Sequence, residues 1–301
     1  MRKGISVNFS KELLAETEYV NRVIAKYLPA EEGFQKTVIS AMNYSMKAGG
    51  KRLRPLMMYK SYRAFGGDEA VIEPFMAAME MIHTHSLIHD DLPALDNDDY
   101  RRGRLTTHKV YGEAMGILAG DALLNYAYEV MLQAFDMTEH KERVIRAMRL
   151  ISTKTGIYGM LGGQCTDVEN DGRPLDDALL DFIYIHKTSA LIEAPLAAGA
   201  ILAGASEEQA AQMEQAGRRI GLAFQITDDI LDVTGDEKTL GKPVHSDEKN
   251  GKTTYVVLKG LQKSHQTAEA LLKEASDIMT ASGGSTEFLC LLAESLTGRR
   301  K

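Results

Sequence analysis

The stretch FQITDDILDVTGD, Phe224–Asp236, decides the fold. At about 3.6 residues per turn, Asp228 and Asp232 stand one turn apart on one helix face. Like charges at that spacing cost helix stability, so an isolated helix gains nothing from them. Ile226, Ile230, Leu231 and Val233 make the segment too apolar for a freely solvated acidic face. Outward from it the helical period continues. Leu13, Leu14, Val20, Val23, Ile24, Tyr27 and Leu28 fall on one stripe; Val38, Ile39, Met42 and Met46 make a second; Leu118, Leu123, Leu124, Ala127, Val130 and Met131 a third. Clean period-2 alternation is missing. Pro29, Pro55, Pro174 and Pro243 sit at predicted boundaries, and Pro195 predicts a kink or break. SEEQ, Ser206–Gln209, reads as a capping box. FGGD, ENDGRP and ASGGST punctuate the chain without forming a long linker, and no tandem repeat is present. The pattern predicts a single all-α domain over residues 1–301, a bundle of roughly ten or more helices.

A second acidic stretch, HDDLPALDNDDYRRGR (His89–Arg104), sets Asp90, Asp91, Asp96, Asp98 and Asp99 beside Arg101, Arg102 and Arg104. A solvated loop with partly cancelling charges is one reading. A hard cation is the other: aspartate oxygens suit Mg²⁺, which shares its ligands with substrate phosphates, and guanidinium groups grip phosphate bidentately. An EF-hand is excluded, because counting from Asp96 its glycine and glutamate positions hold Arg101 and Thr107. Two such motifs, facing each other across a bundle, suit several Mg²⁺ ions with a diphosphate between them. That is metal-assisted ionisation of a carbon–oxygen bond.

The chain has 301 residues, 44% of them hydrophobic, and a net charge of −7. General attraction to nucleic acid is therefore not expected, and an anionic substrate must be held by local cations or metals. Two cysteines, Cys165 and Cys290, give neither a disulfide framework nor zinc spacing and are expected as buried free thiols. The N-terminus lacks a signal-peptide core, and no run approaches the ~18 apolar residues of a membrane span, so a cytoplasmic protein is expected.

GGKRLRP carries Lys51, Arg52 and Arg54 after Gly49 and Gly50. It is a candidate second phosphate site without the pattern of a nucleotide P-loop; a glycine helix terminus with solvated cations is the alternative. Lys187 and Thr188 follow in IHKTSA, then Lys242 and Lys252. His83, His85 and His89 do not share one helix face, which argues against zinc. Glu80 and His83 match the Glu-x-x-His of di-iron bundles, but the required second copy is absent.

In order, GGKRLRP, HTHSLIHDDLPALDNDDYRRGRLTTH, ILAGDALL, GMLGGQCTD, HKTSALIEAP, FQITDDILDVTGD and GKTTY resemble the motifs of the trans-prenyltransferases, the polyprenyl diphosphate synthase family. The likeness covers most of the chain. It is strongest to the bacterial farnesyl diphosphate synthases, with geranylgeranyl enzymes close behind. It implies the isoprenoid synthase fold, an all-α bundle around a deep central cavity, as a homodimer. It implies head-to-tail condensation of isopentenyl diphosphate with dimethylallyl or geranyl diphosphate, using about three Mg²⁺ ions. Carried over residue by residue, Asp90, Asp91 and Asp96 form the first metal motif, and Asp228, Asp229 and Asp232 the second. Arg101 and Lys187, helped by Lys242, hold the allylic diphosphate. Lys51, Arg54, His83 and Arg102 hold isopentenyl diphosphate. Thr188 and Gln225 place oxygens near the developing cation, Gln164 lines the same region, and Asp167 supports the metal site or the lysines.

Product length is expected to be set five residues before Asp90, about 7.5 Å along the helix. His85 stands there, with Ser86 beside it, where farnesyl-producing relatives commonly carry an aromatic residue. A bulky ring favours a C15 product; a floor set deeper allows C20. TTYV (Thr253–Val256) and PVHSD (Pro243–Asp247) also depart from the common pattern around the closing loop. The basic end, Arg299–Lys301, either covers the diphosphate site or is disordered. Two other classes compete. A class I terpene cyclase needs no second phosphate site, and a silent partner subunit predicts eroded aspartate motifs.

Overall fold

The structure, a computed structural model, describes residues 7–235 and 252–297. Lys242, most of the loop around it and Arg299–Lys301 lie outside the described residues. The fold is all-α, as the hydrophobic period predicts. A two-residue antiparallel hairpin, β1 (Tyr100–Arg101) and β2 (Arg104–Leu105), is the exception among the described residues. None of the described helices is long and apolar enough to cross a membrane. The chain divides into two compact units, one of residues 7–59 and 68–145, the other of 60–67 and 146 onward.

The first unit holds α1 (Val7–Lys26), α2 (Lys36–Met46), the start of α3 (Leu53–Ala64), α4 (Ile72–Asp90), α5 (Thr107–Tyr111), α6 (Glu113–Leu132) and the start of α7 (Lys141–Thr155). Its axis is α4. Phe75, Met76, Ala77, Ala78, Met79, Met81 and Ile82 are fully buried, and a helix apolar on every side is a buried helix. α6 is its main neighbour, with α1 and α2 beside it. Each large side chain buried here contributes about 1.5–3 kcal/mol, enough to support the charged residues at the end of α4. Two residues depart from the predicted stripes: Leu14 is 63% exposed and Leu118 48%. At about 100° per residue both sit well over 100° from the centre of the face that packs.

The second unit holds the rest of α7, then α8 (Met160–Glu169), α9 (Asp177–Ile183), a π-helical turn (Tyr184–Ser189), α10 (Ala190–Ala203) and α11 (Glu207–Thr234). It closes with α12 (Tyr255–Lys259), α13 (Leu261–Ala281) and α14 (Glu287–Thr297). α11 opens on the expected capping box: Gln209 N donates to Ser206 Oγ at 3.1 Å, and Ser206 N donates to Gln209 Oε1 at 2.9 Å. α10 and α13 pack along it. Pro195 does not break the chain; α10 runs through it. Every residue from Ala190 to Leu202 is buried, and that packing outweighs the roughly 3 kcal/mol a helical proline costs. The irregularity falls instead in the π turn just upstream.

α10 also carries Glu193, 1% exposed. Arg218 Nε donates to its Oε1 at 2.9 Å, and Lys154 pairs with its Oε2 while reaching Glu214 at 2.6 Å. This clamp ties α7, α10 and α11 together. The cysteine expectation needs correction: Cys165 is exposed and Cys290 half-buried. α8 packs through Met160 and Gly163, and Cys165 lies about 200° round the helix from Gly163.

Candidate active site

In the first unit the last turn of α4 and the loop after it gather the first acidic motif. Asp96 N donates to Asp90 O at 2.9 Å and Asn97 N to Leu92 O at 3.1 Å, so the spacer folds back and sets Asp96 beside Asp90. Asp90 is half-buried, Asp96 exposed and Asp91 buried. The hairpin follows, with Arg102 (φ 53°) and Gly103 (φ 74°) as its two-residue loop. Positive φ at both positions is the type I′ turn that fits strand twist. The turn sends its two arginines to different partners. Arg101 grips Asp91 Oδ1 through Nε at 2.7 Å and Nη2 at 2.5 Å. Burial pushes the Asp91 carboxyl upward, and the Arg101 hydrogen bond opposes it. Arg102 donates to Gly49 O.

Gly49 (φ 82°) and Gly50 (φ 124°) open the basic motif in conformations that only glycine adopts freely. A β-carbon on Gly50 would lie 2.6 Å from the Arg102 guanidinium, so glycine also makes room for that cation. Lys51 is exposed and Arg54 half-buried. Arg54 Nη1 lies 3.1 Å from His83 Nε2 on α4. As arginine only donates, His83 accepts there and carries its proton on Nδ1. Burial, then the charges of Arg54 and Arg102, hold the His83 imidazole well below its ordinary range, hence neutral. Arg54 Nε and His83 Nδ1 are buried donors that meet no protein acceptor. The structure thus brings Arg54, His83 and Arg102 together, near Arg101 and Asp91, and leaves Lys51 exposed in the same basic turn.

Two residues further along α4, about 200° round the helix from His83, His85 is 3% exposed. Its Nδ1 donates to Gly120 O on α6 at 3.0 Å, and its ring meets His89 edge-on at 4.7 Å. Burial, then His89, lowers its pKa from 6.5 to about 4. Ser86 Oγ donates to His83 O at 2.9 Å.

In the second unit a cavity of about 130 Å³ is lined by Asp167, Lys187, Thr188, Gln225, Asp229 and Lys252, among others. The π turn is what aims Lys187 and Thr188 into it, and π turns inside helices often mark functional sites. α8 approaches this turn so closely that a β-carbon on Gly163 would lie 2.1 Å from Lys187 N. Lys187 Nζ pairs with Asp167 Oδ2 at 2.5 Å, and Thr188 Oγ1 donates to Gln225 Oε1 at 3.1 Å. Gln164 is half-buried on α8. Along α11, Asp228 is half-buried, and Asp229 and Asp232 are 2% and 3% exposed. Asp229 accepts from Tyr184 Oη at 2.6 Å and from Tyr255 N at 2.9 Å, so its carboxylate ties α11 to the π turn and to the start of α12.

Sequence reasoning missed Tyr184 in this role and the burial of Arg52 and Glu80. Nothing in the pattern around Tyr184 points to Asp229, 45 positions away. Glu80 does carry a signal, its three-residue spacing to His83 on α4, but that spacing by itself does not point to Arg52.

The family model described as polyprenyl synthetase matches residues 35–286. The farnesyl diphosphate synthase of Geobacillus stearothermophilus is 44% identical over 246 residues, 82% of this chain and 82% of that one. Geranylgeranyl pyrophosphate synthase 11, chloroplastic, of Arabidopsis thaliana is 43% identical over 278 residues, 91% of this chain and 77% of the relative. Among solved structures, a geranyltransferase from Helicobacter pylori, complexed with magnesium and isoprenyl diphosphate, superposes with a TM-score of 0.82 at 30% identity, covering 98% of each chain.

Proposed function

The chain belongs to the polyprenyl synthetase family, and on that premise we propose that it condenses isopentenyl diphosphate head-to-tail with dimethylallyl and then geranyl diphosphate to give farnesyl diphosphate. Prenyl transfer itself follows from the family; the C15 product is the finer step. The observation that carries the assignment of sites is one juxtaposition. Arg102 and the unpaired donors of Arg54 and His83 gather near Asp91 of the first acidic motif, with Lys51 exposed in the same basic turn. Buried donors without acceptors are costly, and the oxygens of an anion offset that cost.

The donor set suits magnesium. Asp90, Asp91 and Asp96, with Asp228, Asp229 and Asp232, offer only hard oxygens. Among the described residues no three acidic, histidine or cysteine side chains are gathered closely enough to hold an ion alone. A metal shared with a diphosphate needs only one or two carboxylates per ion. When bound, magnesium draws negative charge from the leaving diphosphate. Arg101 and Lys187 hold that diphosphate in place, with Lys242 as a further candidate outside the described residues. Asp167 orients Lys187, and the Thr188–Gln225 pair presents oxygens to the electron-poor carbon. Lys51, Arg54, Arg102 and neutral His83 hold isopentenyl diphosphate so that its double bond can attack. The departing diphosphate takes the proton that is lost, so no protein base is required. Gln164 lines the region, and apolar walls exclude the water that would quench the cation.

His85, with Ser86, is the proposed floor for a C15 tail. The 43% identity to a geranylgeranyl synthase favours C20 as the second reading. The family match extends over residues of both units, which supports treating the chain as one synthase domain. A cytoplasmic homodimer completes the proposal. Incubating the protein with Mg²⁺, isopentenyl diphosphate and each allylic primer, then measuring product length, tests it. C15 is expected, and His85→Ala should lengthen the product. A wild-type C20 product overturns the C15 assignment, an unchanged distribution in the variant places the floor elsewhere, and no elongation of any primer overturns the function.

A further inference from the structure

The three cations of GGKRLRP have different fates. Lys51 faces solvent, Arg54 reaches His83, and Arg52 turns inward until it is 5% exposed. Its backbone sits at φ 51°, a left-handed conformation that costs a branched-chain or long residue energy unless its surroundings hold it there. What holds it is visible. Arg52 Nη1 donates to Glu80 Oε1 at 2.7 Å, Nη2 to Met46 O at 2.7 Å and Nε to Asn21 Oδ1 at 3.0 Å. Glu80 is itself 1% exposed and lies one turn before His83 on α4. A buried ion pair is a poor source of net stability, but removing one partner leaves the other as a costly buried charge. This one joins α1, the end of α2, the basic turn and α4 at a single point. It also places a negative charge among crowded cations: Glu80 acts favourably on both Arg54 and Arg102, which otherwise repel each other.

We propose that the buried Arg52–Glu80 pair is the positioning device of the isopentenyl diphosphate site. It touches no substrate. It locks the left-handed turn that separates the exposed Lys51 from the Arg54 that reaches His83, and it fixes Glu80 and therefore His83 in register with them. The inference rests on the proposed assignment of Lys51, Arg54, His83 and Arg102 to isopentenyl diphosphate.

The test compares Glu80→Gln, and the double variant Arg52→Met/Glu80→Met, with the wild type in steady-state kinetics for both substrates. Metal-free titration with isopentenyl diphosphate gives its affinity independently of turnover. The double variant removes both charges together, which buried pairs tolerate, so a folded protein is available even where Glu80→Gln unfolds. Either folded variant should weaken isopentenyl diphosphate by about tenfold or more in KM and in affinity, with KM for the allylic primer within about twofold and kcat largely kept. A folded double variant with wild-type affinity overturns the inference. So does an equal loss for both substrates, which is the mark of a merely structural role. Lys51→Ala and Arg54→Ala serve as the control on the underlying assignment. If neither weakens isopentenyl diphosphate, the site itself is wrongly assigned; if both do while the double variant does not, only the positioning role falls.

Discussion

His85 makes acid stability a direct test of the packing on α4. Its imidazole is 3% exposed and hydrogen-bonded to the Gly120 carbonyl, with a pKa near 4 against an ordinary 6.5. The groups facing it are His89 on its own helix and Asp121 on α6. In the pH range between those two values the unfolded chain binds a proton that the folded chain refuses, so stability falls as the solution is acidified. The contribution is complete above the unfolded pKa, declines through the interval and levels off below the folded one. A shift of that size amounts to about 3 kcal/mol at about 1.4 kcal/mol per pH unit. Urea unfolding of the wild type and of His85→Gln, each at about pH 7.5 and pH 4.5, isolates the effect. Carboxylates elsewhere titrate alike in both proteins and cancel. The wild type should lose about 2–3 kcal/mol more than the variant over this interval. Equal losses would show that the folded protein admits the proton at His85 and that the buried, neutral ring described above is wrong.

Two further substitutions probe the second unit. Glu193→Ala leaves Lys154 and Arg218 without their buried partner and should destabilise the protein by about 3–5 kcal/mol in urea; a change below about 1 kcal/mol would mean that Glu214 or water replaces it. Tyr184→Phe removes a hydrogen bond to a buried carboxylate and should cost about 1.5–3 kcal/mol together with a fall in kcat, because Asp229 then loses its tie to the turn that carries Lys187. Full activity at reduced stability would separate Asp229 from the alignment of that turn.

The helices of both units were legible because burial imposes a 3.6-residue period on each segment, and Ser206 with Gln209 marks the start of α11 through contacts only three residues apart. The two acidic motifs and GGKRLRP were legible for a related reason: charges that crowd in sequence must be compensated, whatever surrounds them. Pro195 misled because local propensity speaks for a few kcal/mol and the packing of α10 outvotes it. Sequence by itself settled the helical class, the acidic and basic motifs and the family they resemble. Tertiary structure alone decided that Arg52 turns inward to Glu80, that Asp229 Oδ2 accepts from Tyr184 and Tyr255, and that His85 is a neutral ring against Gly120. Each of those depends on which distant atom fills the next few ångströms, and no residue carries that information in its own neighbourhood of the chain.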